Sequence, residues 1–326
     1  MSRRLSPSSW TRAGSASGPW PPIARSTMPA SSVSAKGRRS RAASRLSTVT
    51  RGAYVMNLGP TPYREAWELQ RALAAAVSQG TLPDTVVLLE HPPVVTLGRR
   101  TEASELHIPE GAEVEIVETD RGGKSTYHGP GQLVCYPIFD LTRHGQDVKK
   151  YCRDLEEALI RTLAPFGLAA TRIEGLTGIW MAASLATPPG GRTGFARAAA
   201  STRPVGRTTL RAVAPARRVA PPRKIASIGI HISRWISTHG YALNVDLDPS
   251  PFTDWITACG IEDAQFTTVA GELGRSVEVD EVRPHAQTAL AEVFELDFDE
   301  LPSSAADDLR RQPLHDRSTQ RAAVSK

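Results

Sequence analysis

Cysteine is scarce in this chain, with three residues in 326, at positions 135, 152 and 259. They are widely spaced and odd in number, which excludes a disulfide framework, and no C-x-x-C pair suggests a zinc site. A reducing compartment is the expectation. No run of about 18 apolar residues is present to span a bilayer, and no short apolar h-region marks a secretory signal. Acidic residues are missing from two stretches. Residues 1–55 hold ten Lys/Arg and residues 182–222 hold seven, with no Asp or Glu in either. The rest of the chain carries 22 basic against 34 acidic residues, so the pI near 9.3 describes two peculiar segments and no basic core.

Both segments are rich in Arg, Ser, Ala, Pro and Gly and poor in large apolar side chains. Such sequences cannot bury enough apolar surface to offset ordering entropy, so disorder is expected for 1–55 and for 182–222. An Arg- and Ser-rich, acid-free N-terminus also has the composition of a mitochondrial transit peptide. The simpler expectation is translation from near Met56, where periodic sequence begins, and a cytoplasmic protein; a transit peptide would place it in the mitochondrial matrix.

Between and beyond these segments the pattern is periodic. TPYREAWELQRALAAAVSQ (61–79) sets Tyr63, Ala66, Trp67, Leu73, Ala76 and Val77 on one helical face, and Gly80 stops the helix. Strand-like runs follow at 85–90, 94–98, 113–118 and 133–141, and a second amphipathic helix covers 147–166. Strands return at 171–181, 224–232 and 241–245, a last helix spans about 283–294, and a polar, mobile tail runs over 301–326. The mixed order predicts one α+β domain around a mixed sheet, over 56–300, with 182–222 extruded as a long loop.

The stretch RGGKSTYHGPGQ (121–132) contains G-K-S, the ending of a Walker loop. That motif needs a glycine five residues before Gly123, where this chain has Glu118, and it must open a helix. Pro130 and its glycines break helices, so the phosphate-loop reading fails. What remains is a glycine-lined loop whose backbone N–H groups can approach a ligand closely. Cys135, in an apolar strand, and Cys152, on a helix face, read as small core residues.

The stretch RGGKSTYHGPGQLVCYPIFDL, followed in order by GLTGIWM (175–181), KIASIGIHISRWISTHGYALNV (224–245) and ACGI (258–261), resembles the lipoyl(octanoyl) transferase family over about residues 56–280. That resemblance implies a fold akin to biotin and lipoate protein ligases. It also implies transfer of an octanoyl group from octanoyl-acyl carrier protein to a lysine of lipoyl domains, those of 2-oxoacid dehydrogenases and the glycine cleavage H protein. By the same resemblance Cys259 is the acyl-carrying nucleophile and Lys224 the residue that favours its thiolate. The substrate pocket maps to Arg121, Gly122, Gly123, Lys124, Ser125, Thr126, Tyr127 and His128, with Ser227, Ile228 and Gly229 as a second wall and Gly240, Tyr241 and Ala242 as a third. The chain departs from the family at Ala258, where proline usually precedes the cysteine.

No metal or cofactor is implied, because a thioester is already activated. Two alternatives differ in class. An ATP-dependent lipoate ligase of the same fold would need an adenylate site and no cysteine nucleophile. A non-catalytic nucleic-acid binder would use the Arg-rich segments on phosphate backbones; these lack interleaved aromatics, so neither nucleic acid nor membrane is an expected partner. For acidic protein partners, Arg99-Arg100 and Lys149-Lys150 are candidate basic patches.

Overall fold

A computed structural model describes residues 50–182, 221–257, 265–302, 305, 308 and 309, all within one unit spanning 48–326. Disorder was expected for 1–55 and 182–222; residues 1–49 and 183–220 lie outside the described residues, and 51–55 are instead part of a strand.

Strand β2 (Thr85–Glu90) follows β1 (Arg51–Pro60) and is apolar at consecutive positions, so it needs cover on both faces. Val86 and Leu88 pack into one cluster, and Val87 and Leu89 into another. This is the period-two alternation of a strand. The other large-sheet strands are β6 (Gln132–Ile138), β7 (Ala170–Ile173), β8 (Leu176–Met181), β9 (Arg223–Ser233), β10 (Ile236–Asn244) and β12 (Leu296–Glu300). Their order is β12-β1-β2-β6-β10-β9-β8-β7, with β11 (Gln265–Phe266) beside β9. The β12-β1-β2 edge is parallel and the strands from β2 to β7 are antiparallel.

A parallel pair needs a crossover, and α1 (Tyr63–Ser78) supplies it between β1 and β2. Its Ala66, Leu69, Leu73 and Val77 cover one face of the sheet. Helices α2 (Val148–Leu163) and α5 (Val279–Phe294) cover the other face through Leu155, Leu159, Val282 and Leu290. Asp147 caps α2 by accepting from the backbone N–H groups of Lys149 and Lys150 at 2.8 and 3.0 Å, satisfying two orphan donors. A smaller sheet, β4 (Glu115–Glu118)-β3 (Val94–Leu97)-β5 (Thr126–His128), carries the glycine loop between β4 and β5. The mixed sheet with helices on both faces is the expected α+β architecture.

Several boundaries differ from the sequence reading. The strand expected at 171–181 is two, β7 and β8, paired antiparallel across a turn at Glu174 and Gly175, and β10 begins at Ile236, five residues before the expected 241. β1 begins at Arg51, five positions before Met56, because residues 51–55 pair with β12. Helix α5 begins at Val279, four residues early, and Pro284 sits inside it. The tail was expected to be polar, yet Leu301, Ala305 and Leu309 are buried against the α1 cluster. The charged residues around them hide these apolar positions in the sequence. No helix among the described residues is long and apolar enough to cross a membrane.

Candidate active site

An irregularity in β9 sets the site. Ile179 pairs with Ala226 while the next residue, Trp180, pairs with Lys224, so Ile225 is an extra residue on β9. A bulge of this kind rotates the strand on one side of it. Ile225 and Ala226 both enter the α2–α5 core. Lys224 is thereby turned away from that core, and its side chain lines a cavity of about 440 Å³. The residue is only 3% exposed. Its Nζ lies 5.3 Å from the ring centroid of Trp180, its cross-strand partner. Gly178 completes the arrangement. Its φ is +110°, and a Cβ there would sit 2.5 Å from the Ala226 carbonyl oxygen and 2.8 Å from Lys224 Cε.

The glycine loop forms the facing wall. Arg121 borders the cavity, but its guanidinium organises the loop. It donates to the carbonyls of Thr96, Gly122 and Lys124 at 2.7, 3.1 and 2.8 Å, and to Thr96 Oγ1. Lys124 is ion-paired with Glu105. Where β10 crosses β6, a side chain at Gly240 would collide with the Cys135 carbonyl, so the third wall requires glycine.

A cluster of buried histidines, His91, His128 and His239, closes one side with Tyr63 and Tyr136. Their tautomers follow from partners that can only accept. His91 Nδ1 donates to the Thr61 carbonyl at 2.6 Å, so its Nε2 accepts from the Tyr136 hydroxyl at 2.7 Å. His239 Nε2 donates to the Asp120 carboxylate at 2.8 Å, leaving Nδ1 towards the Tyr63 hydroxyl. For His128 the inference runs through three side chains and one backbone carbonyl. Asn244 Nδ2 donates to the Thr267 carbonyl, so Asn244 Oδ1 accepts from Gln132 Nε2. Gln132 Oε1 therefore accepts from His128 Nδ1 at 2.7 Å. Burial drives all three rings toward the neutral form. His91 falls to about 4 although the Thr61 hydrogen bond opposes this, His128 falls well below its ordinary value, and His239 is lowered despite Asp120.

Of the residues expected to line the pocket, Arg121, Gly122, Gly123, Lys124, Ser125, Thr126 and His128 border this one cavity. So do Lys224, Ser227, Ile228, Gly229, Gly240, Tyr241 and Ala242. Tyr127 does not. Alternation along β5 turns Thr126 and His128 to the cavity and Tyr127 into a separate cluster, edge-on to Phe252 and Trp255. Cys259 and Ala258 lie outside the described residues. The segment 182–222 leaves its flanking strands in register, with Met181 opposite Arg223.

Cys135 is fully buried, and burial pushes its thiol up. Cys152 is half-buried and borders the cavity, so it is not the core residue expected. Sequence reasoning passed over Gly178 and Trp180, although both stand in GLTGIWM, and over Tyr63, Tyr136, His91 and His239. The tyrosines and His91 read as ordinary apolar-face or strand-end residues. Only the positive φ of His239 (56°), unusual inside a strand, sets it apart, and that is invisible in sequence. Among the described residues no group of three or more His, Cys, Asp or Glu could hold a metal ion.

Residues 62–291 match the family model described as the lipoyl protein ligase A/B catalytic domain. An octanoyltransferase from Chloroflexus aurantiacus is 41% identical over 246 residues, covering 74% of this chain and 93% of that protein. An octanoyltransferase from Mycobacterium tuberculosis is 44% identical over 236 residues, covering 72% and 84%. Among solved structures, a bi-partite lipoate protein ligase from Thermoplasma acidophilum superposes with a TM-score of 0.54 at 16% identity, across 80% of this chain and 91% of that one. At that identity the likeness shows the fold alone.

Proposed function

The chain belongs to the lipoyl protein ligase A/B catalytic-domain family, and from that membership we propose that it is an octanoyltransferase working through an enzyme thioester. The donor is octanoyl-acyl carrier protein and the acceptor a lysine of lipoyl domains, in 2-oxoacid dehydrogenases or the glycine cleavage H protein. The observation that carries this reading is a lysine, 3% exposed, turned by a bulge into a cavity walled by the glycine loop.

Cys259 is the nucleophile. An ordinary cysteine, with pKa about 8.5, is only about 3% thiolate at pH 7. A cation a few ångströms away lowers such a value by roughly 1–3 units, and about two units give a thiol about three-quarters ionised. Lys224 is that cation. The thiolate attacks the octanoyl carbonyl, the carbon–sulfur bond to the carrier breaks, Lys224 gives its proton to the departing carrier thiolate, and the acyl group rests on Cys259. The acceptor amine then attacks this thioester, an amide forms, and the cysteine leaves. A lysine near pKa 10.4 is mostly protonated, so this half needs a proton acceptor. Lys224, left as the free amine by its proton transfer to the carrier's sulfur, takes this proton, and the ammonium–thiolate pair is restored as the cysteine leaves. Apolar wall residues Val134, Ile228 and Ala242 suit an eight-carbon chain. Arg100 borders the same cavity and lies next to exposed Arg99, a rim suited to an acidic carrier.

The competing reading is an ATP-dependent ligase. Turnover with octanoyl-acyl carrier protein and a lipoyl domain, in the absence of ATP and magnesium, separates the two. Amide formation undiminished without nucleotide is expected; formation that requires ATP and free octanoate would overturn the proposal.

A further inference from the structure

We infer that Trp180 is a positioning residue for Lys224, its indole face fixing where the ammonium sits, with Gly178 and the Ile225 bulge clearing the path that the side chain follows. The inference rests on the thiolate-activating role proposed above for Lys224, and goes beyond it by assigning what holds the lysine in place.

Three independent features of β8 and β9 converge on this one side chain. Trp180 and Lys224 are opposed across the two strands, and both are nearly inaccessible, at 2% and 3%. The Nζ-to-centroid distance of 5.3 Å is within the range of an attractive cation–π contact, which strengthens when desolvated. Gly178, on the same face two residues earlier, has no Cβ where the lysine stem passes. Its N–H donates to Glu156 Oε1 at 3.3 Å, tying β8 to α2. A long flexible side chain has rotamer entropy that burial alone does not remove in one conformation; an aromatic face on one side and an unfilled gap beneath select one.

The charged and titratable groups described around the cavity and this end of β9 include Cys152 and Glu156 of α2, Arg223 of β9, Glu272 from α4 (Val269–Leu273), Arg100, Arg121 and Lys124 of the facing wall, and His128, His239, Tyr136 and Tyr241. Glu156 is held by Arg153 and Arg172, Arg223 by Glu272, and Lys124 by Glu105. These pairs do not involve Trp180, and Lys224→Met sets how far the lysine itself moves the midpoint.

The readout is the pH dependence of Cys259 alkylation by iodoacetamide, followed by intact mass on the full chain. A cation–π contact of this kind corresponds to roughly 0.5 to 1 pH unit in the alkylation midpoint. Trp180→Leu should raise the midpoint by about that much and slow thioester formation at pH 7 by roughly 1.5- to threefold, since the thiol starts about three-quarters ionised. Trp180→Phe, which keeps an aromatic face, should restore most of the shift. A merely structural tryptophan would lower stability without moving the midpoint. Site-specific replacement of Trp180 by progressively fluorinated tryptophan weakens the ring's negative face with little change of shape. It keeps the test valid if the leucine variant does not fold, and the midpoint should climb with each fluorine. Lys224→Met is the control. If it moves the midpoint and the Trp180 series is flat, the positioning role is wrong while the activation by Lys224 stands. If Lys224→Met leaves the midpoint unchanged, the activation itself fails and this inference with it.

Discussion

A Cys259→Ala variant is expected to lose octanoyl transfer by on the order of 10⁴-fold or more, the scale on which covalent enzymes lose activity with their nucleophile. Lys224→Met is expected to lose both half-reactions for different reasons. Without the neighbouring cation the thiol returns towards its ordinary titration, and the thiolate fraction at pH 7 drops more than twentyfold. Part of that is regained, because a thiolate of higher pKa is the better nucleophile. Raising the assay pH above about 8.5 should therefore rescue acylation of Lys224→Met by the carrier protein. Deacylation by a lipoyl domain should not recover to the same extent if Lys224 also takes the amine proton. Single-turnover measurements of each half across pH 6.5–9.5 check both statements. Equal rescue of the two halves would leave Lys224 with the first role only.

The second large effect is on stability in mild acid. His91, His128 and His239 are buried and neutral, with folded-state values held below the ordinary 6.5. The sign follows from proton counting. Below pH 6.5 the unfolded chain protonates these rings and the folded protein does not, so unfolding takes up protons and stability falls as pH falls. For His91 the window runs from about 6.5 down to about 4. Over it, that residue alone removes about 3 kcal/mol at 1.36 kcal/mol per pK unit, a large share of the roughly 5–15 kcal/mol of a typical domain. Urea unfolding at pH 7.5, 6, 5 and 4.5 should show a steep loss. A His91→Gln variant should be less stable at pH 7.5, where its hydrogen bonds to Thr61 and Tyr136 are weakened, and should show a shallower dependence on pH. The same slope in the variant as in the parent would mean that His91 titrates normally.

The fold was legible where apolar periodicity and burial coincide. α1, α2 and β2 stand within three residues of the positions expected, because each buries a continuous stripe or alternation. β1 was missed because RGAYVMNLGP alternates weakly and derives its strand character from parallel neighbours 245 and 31 positions away in register, Leu296 opposite Arg51 and Thr85 opposite Tyr54. Such pairing leaves no local mark. The candidate site was legible as stretches of special residues and not as a geometry. Glycines at 122, 123, 229 and 240 announce close approaches, and the structure gathers them around one cavity. The device that turns Lys224 into that cavity is one extra residue, Ile225, and in sequence a bulged isoleucine looks like any other strand residue. The histidine network was hidden for a related reason: His91, His128 and His239 are 37 and 111 positions apart, and only the sheet brings them together.

Acyl storage on one sulfur is the claim on which the chemistry depends, and intact-mass analysis of the full chain after mixing with octanoyl-acyl carrier protein, with no acceptor present, reads it directly. A single octanoyl adduct is expected, located by peptide mapping on Cys259, labile to hydroxylamine and discharged by a lipoyl domain. An unmodified chain that nonetheless octanoylates lipoyl domains, or an adduct that persists in Cys259→Ala, would contradict the account.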